Sequence, residues 1–146
     1  MKYLRLLSIL IMILPLGFTE AAEQLSVSNA WARASAPGQE VGAVYMTLTS
    51  ASELTLTSIA SPAAENAEIH RMSMNDGIMR MRMIEMLALA PGEPVKLQPG
   101  GLHLMLFGLK QPLKAGDSIT VTLNLKDKHG QPSSQTIAVP VKAATN

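Results

Sequence analysis

Ten methionines stand in a chain of 146 residues that has only one Trp, two Tyr and two Phe. Seven of the ten, at positions 72, 74, 79, 81, 83, 86 and 105, fall in one stretch, which begins just after His70 and takes in His103. A thioether sulfur is a soft, uncharged donor and an imidazole nitrogen a borderline one. Two of each suit Cu(I), a soft ion content with four or fewer ligands. They suit zinc poorly, since zinc takes thiolate, imidazole or carboxylate, and Mg²⁺ or Ca²⁺ worse, since both demand oxygen. The chain has no cysteine. That excludes a disulfide framework, thiolate zinc sites, Cys nucleophiles and blue-copper ligation.

On a helix these methionines would scatter around the cylinder, but on a hairpin they sort themselves. Asn75-Asp76-Gly77 is a strong turn signal. A two-residue Asp76-Gly77 loop pairs Met74 with Met79, Met72 with Met81 and His70 with Met83. All six then share one face, while Ile69, Arg71 and Ser73 take the other with Ile78, Arg80 and Arg82. His70 and Met81 become diagonal neighbours, within reach of long side chains. Farther on, Gly101-Leu102-His103-Leu104-Met105-Leu106-Phe107 reads as a strand. Its His103 and Met105 point one way, and Leu102, Leu104 and Leu106 point into a core. Brought against His70 and Met81, this His-x-Met pair completes two imidazoles and two thioethers. Methionine is also a common core filler, and each one taken singly fits that role. A thioether core, however, has no need of two histidines on its face.

The elements that must position these residues are strands. Alternation at period two recurs along the chain. Leu25, Val27 and Trp31 fall on one parity of a first strand. Val44, Met46 and Leu48 alternate with Tyr45, Thr47 and Thr49, and Leu54 and Leu56 with Thr55 and Thr57. Ile119, Val121, Leu123 and Leu125 form the clearest strand, and Ile137, Val139 and Val141 close the sequence. Turns fall at Ala36-Pro37-Gly38, Pro91-Gly92, Pro99-Gly100-Gly101, Ala115-Gly116-Asp117 and Lys128-His129-Gly130-Gln131. Eight or nine short strands at this spacing predict an all-β fold, an antiparallel sandwich or barrel in one domain over residues 23–142, with a frayed tail at 143–146.

The first residues are not part of that domain. A positive segment, Met1 to Arg5, precedes the apolar run Leu6 to Gly17, which is too short to span a bilayer comfortably. Small residues follow, so residues 1–21 read as a secretory signal peptide cleaved after Ala21 or Ala22. Its removal leaves ten positive and ten negative side chains. The mature protein is expected to be neutral, free of the membrane, and most plausibly periplasmic, an oxidising compartment where soft-metal chemistry without thiols has a rationale.

The spacing His70, ten residues, Met81, twenty-one residues, His103, one residue, Met105 resembles the H-x10-M-x21-H-x-M signature of the PCu(A)C family of periplasmic copper chaperones. Ala30-Trp31-Ala32-Arg33, Ala43 to Leu48, Glu68-Ile69-His70, Met79-Arg80-Met81 and Leu97 to Leu106 are similar to that family too, so the resemblance covers nearly the whole mature chain. It implies a cupredoxin-like β-sandwich that binds Cu(I) through His70, Met81, His103 and Met105. It also implies delivery of copper to the CuA domain of cytochrome c oxidase, directly or through a thiol-bearing copper chaperone. In the hairpin register Met72, Met79 and Met83 lie close enough to compete as ligands. The tail Lys142 to Asn146 carries no His or Met, so one Cu(I) site and no tail site is expected.

Nucleic acid is disfavoured as a partner by a formal charge of +1 and an aromatic content of 3%. No enzyme is expected, because no Ser/His/Asp arrangement or carboxylate pair is placed for acid-base work. His129 in its polar turn, the stripe of Arg71, Arg80 and Arg82, and Glu68 and Glu85 on the hairpin read as solvated. Trp31 and Tyr45 read as packing residues. The expected protein is a monomer. Two alternatives stay open: a copper-sequestering resistance protein using the same ligands, and a β-sandwich interaction module with no metal.

Overall fold

A computed structural model describes residues 24–144, so the expected signal peptide and the last two residues lie outside the described part. Ten strands follow one another: β1 (Leu25–Arg33), β2 (Val41–Ser50), β3 (Leu54–Ala60), β4 (Ala64–Asn75), β5 (Ile78–Ile84), β6 (Leu87–Leu89), β7 (Val95–Leu97), β8 (Leu102–Leu109), β9 (Ser118–Asp127) and β10 (Pro132–Lys142). Eight or nine were expected, and the strands without a counterpart in the sequence pattern are β6 and β7, three residues each.

Hydrogen bonding runs in the order β5-β4-β8-β7-β2-β1-β10-β9-β3-β6, with β8 also pairing β2. Most pairs are antiparallel. The parallel β1–β10 pair joins the two halves through only two rungs, Ala32 with Val141 and Arg33 with Lys142. One hydrophobic cluster takes residues from both halves, Leu48, Leu104 and Leu106 from one and Leu56, Leu123 and Val139 from the other. The result is the cupredoxin-like β-sandwich. Its core is aliphatic, and among the described residues Met46 is the methionine it takes in.

Alternation explains most of this burial. Val44, Met46 and Leu48 are buried in β2, and Val121, Leu123 and Leu125 in β9. The first strand departs from expectation. A bulge between Ser28 and Trp31, with Asn29 at φ 53°, shifts the parity. Ala32, and not Trp31, then faces the core, while the Trp31 ring packs on Tyr45 at 4.7 Å between centroids. One extra residue in a strand turns the side chains after it to the other face.

The β4–β5 hairpin has the expected register throughout: Met74 faces Met79, Met72 faces Met81, and His70 faces Met83. Asp76 and Gly77 both have positive φ, 52° and 76°, the mark of a type I′ turn whose twist matches that of the strands. Replacing Gly77 with alanine forces a Cβ into the left-handed region. It should destabilise the fold by about 1 kcal/mol in urea denaturation, with the register kept by the methionine and arginine faces.

Candidate metal centre

The central strand of the site is β4, with β5 on one side and β8 on the other. Along β8 the register sets His103 directly opposite His70, Met105 opposite Glu68 and Leu102 opposite Arg71. One face of the three strands therefore carries Met83, His70 and His103 in a single row. Met81 and Met72 lie a step toward the hairpin tip, and Glu68 and Met105 a step the other way. Leu104 and Leu106 on the reverse face are buried, as expected, and Leu102 is half-buried.

The two imidazoles are prepared differently. His103 is 4% exposed, and its Nδ1 lies 3.0 Å from the Gly101 carbonyl oxygen. A carbonyl only accepts, so Nδ1 carries the proton and Nε2 keeps its lone pair. His70 has Nε2 at 2.8 Å from a Glu68 carboxylate oxygen. That places its proton on Nε2 and leaves Nδ1 as the acceptor, and Nδ1 is buried without a partner. A buried acceptor with nothing to accept costs free energy; an electrophile placed there satisfies it. Both rings thus show a lone pair on one nitrogen and a fixed hydrogen bond on the other, the arrangement that orients histidine ligands.

The ring centroids of His70 and His103 are 6.0 Å apart, at an interplanar angle of 39°. With metal–imidazole bonds of about 2 Å, an ion between two nitrogens holds the ring centres within roughly 6 Å, so this spacing fits a shared ion. Phe107 closes one side, its ring 5.8 Å from that of His70. Among the described residues no three His, Cys, Asp or Glu side chains converge as a metal cluster. The side chains that share this face with the two imidazoles are the thioethers of Met72, Met81, Met83 and Met105, the Glu68 carboxylate and the Phe107 ring.

The sulfur positions are unequal. Met105 is two residues from His103 on the same face and half-buried. Met81 stands farther out, one strand from His70 and two from His103, and is 50% exposed. Met83, in the rung with His70, is 53% exposed. Glu68 is a departure from expectation: its carboxylate is not simply solvated but engages His70. Glu68 and His70 share a strand parity, which was the available signal. Phe107, four residues beyond His103 on the same face, was missed in the same way. His129 lies far from this site in its turn, where the Asp127 carboxylate accepts from His129 N–H at 2.8 Å and Gln131 N–H at 2.9 Å. Those backbone donors, Gln131 first, hold the Asp127 carboxyl below its ordinary pKa.

Comparison with known proteins adds three findings. The model of the family described as "Putative lipoprotein LpqE-like" matches residues 25–141. "Putative lipoprotein Lxx21020" of Leifsonia xyli subsp. xyli is 33% identical over 122 residues, covering 83% of this chain and 71% of that protein. Among solved structures, CuI-DR1885 from Deinococcus radiodurans is 31% identical with a TM-score of 0.60, covering 84% of this chain and 83% of that one. The copper-bound PCuAC domain from PmoF2 has a TM-score of 0.65 at 21% identity, covering 83% of this chain and 94% of that domain, a likeness of fold.

Proposed function

We propose, from the premise that this chain belongs to the LpqE-like family, that it is an exported, periplasmic Cu(I) chaperone. The observation that carries the proposal is the directly opposed His70–His103 pair, one ring with an orphaned buried nitrogen, on a face otherwise furnished with thioethers. His70, Met81, His103 and Met105 are the ligands we assign. The Cu(I) named for CuI-DR1885 supports the same cargo.

Such a site can hold and release. The imidazoles are fixed by Glu68 and Gly101, while the Met81 thioether stands toward solvent and Met105 is half-buried, so an incoming ligand can displace them one at a time. Neutral donors leave the single charge of Cu(I) uncompensated and disfavour a second one, which keeps the cargo cuprous. The recipient we infer is the CuA domain of cytochrome c oxidase or a thiol-bearing chaperone that serves it.

Anaerobic titration against a colorimetric Cu(I) chelator tests binding, and incubation of the loaded protein with an apo CuA domain tests delivery. Binding with no transfer to the CuA domain or to a dithiol chaperone would favour sequestration. No competition with the chelator would leave a β-sandwich interaction module. Glu68→Ala is expected to weaken Cu(I) binding by roughly 10–100-fold in that titration, the usual cost of losing the partner that orients a histidine ligand.

A further inference from the structure

Five of the six large apolar side chains exposed on the described surface are methionines, Met74, Met79, Met81, Met83 and Met86, and the sixth, Ile78, adjoins the hairpin turn. A core role does not explain them, since they remain 50–67% exposed. Strand propensity does not explain them either, because unbranched methionine has no advantage over Val, Ile or Thr on a pleated surface. What methionine adds at these positions is sulfur.

Their register makes the sulfur usable. A two-residue loop closes on a hydrogen-bonded rung, here Asn75 with Ile78, and rungs then alternate in type. Met74–Met79 and Met72–Met81 therefore fall on non-hydrogen-bonded rungs, where side chains stand closest. The Met72 N–H bears this out by donating instead to Gly101 O of the β8 side, at 3.1 Å. Opposed Cβ atoms on such rungs are about 4.5–5.5 Å apart, and successive rungs of one face about 7 Å apart along the strand. Flexible three-carbon-and-sulfur arms can close either gap on one ion.

We infer that Met74, Met79 and Met72 form a second, thioether-only Cu(I) position at the hairpin tip, from which the ion passes inward through Met81. The inference rests on the histidine site described above as the inner destination. Each step exchanges one ligand for another. A Cu–S bond to Met74 or Met79 breaks as a Cu–S bond to Met81 forms, the ion stays cuprous, and no proton or electron moves. With sulfur ligands alone the outer position holds copper more weakly than the inner one, so copper drains toward the histidines and the tip refills.

The test uses the full chain labelled with [methyl-13C]methionine and titrated anaerobically with Cu(I). The first equivalent should move the Met81 and Met105 methyl resonances, and the second those of Met74 and Met79. A Met74→Leu/Met79→Leu variant keeps size and apolarity, and its stoichiometry should drop from about two ions to about one. Static Met74 and Met79 resonances through the second equivalent, or two ions bound by the double variant, would overturn the outer position. Movement of Met74 and Met79 with Met81 and Met105 unmoved would uphold the outer thioethers and overturn the histidine site.

Discussion

Replacing His103 with alanine is expected to weaken Cu(I) binding by more than 100-fold, beyond the roughly 10–100-fold typical of losing a residue that only orients a ligand. On the scale of 1.36 kcal/mol per decade that is about 3 kcal/mol or more. The reason lies in how the ring is held. His103 is buried, its Nδ1 proton is held by the Gly101 carbonyl, its Nε2 keeps a lone pair, and its ring centre lies 6.0 Å from that of His70. Removing it leaves His70 with the exposed thioether of Met81 and the half-buried one of Met105. The chelator competition that measures the wild type measures this variant, and His129→Ala, in a turn remote from the site, should leave the affinity unchanged. A circular dichroism melt separates lost binding from lost folding. An affinity within tenfold of the wild type would remove His103 from the ligand set.

Leu104→Ala should produce the largest loss of stability at a position next to the site. Leu104 is fully buried and lies on the reverse face of the strand that carries His103. It pairs with Ile69 on β4 and with Val44 on β2, both buried, so the cavity it leaves has walls on two sides that belong to other strands. Leucine-to-alanine changes in such places cost about 2–5 kcal/mol, a large part of the roughly 5–15 kcal/mol that holds a domain together. The urea midpoint should fall with the slope unchanged, and Tm should fall by roughly 10 °C. Copper affinity of the folded fraction should change less than in His103→Ala, because no ligand is lost.

How much of this was legible in the sequence depended on how local the determining signal was. The β4–β5 hairpin was readable in full because Asp76-Gly77 fixes the register of every residue from Ile69 to Ile84, and a single parity then sorts methionine from arginine. The long alternating strands β2 and β9 were readable for the same reason. The His70–His103 rung was not. It depends on the pairing of β4 with β8, whose intervening chain contains two three-residue strands too short to show a period. Sequence spacing named the histidines through a family resemblance, but it could not say that they face each other directly or that Met81 lies two strands from His103. The bulge in β1 left no sequence signal because Asn29, a residue tolerant of positive φ, sits between Ser28 and Ala30, small residues that fit either face. Glu68 reads as solvated from sequence because an acidic residue on a strand is ordinarily exposed, although its parity with His70 is visible.

The outer margin of β5 has no neighbour among the described strands, so its unpaired amides and carbonyls offer a template on which a second copy could build. An antiparallel pairing of two β5 strands centred on Met81 would bring Arg80 of each molecule opposite Arg82 of the other. Like charges directly opposed across a rung repel. The arginines on the reverse side of the methionine face therefore disfavour that edge-to-edge register, and they do so without occupying the sulfur side.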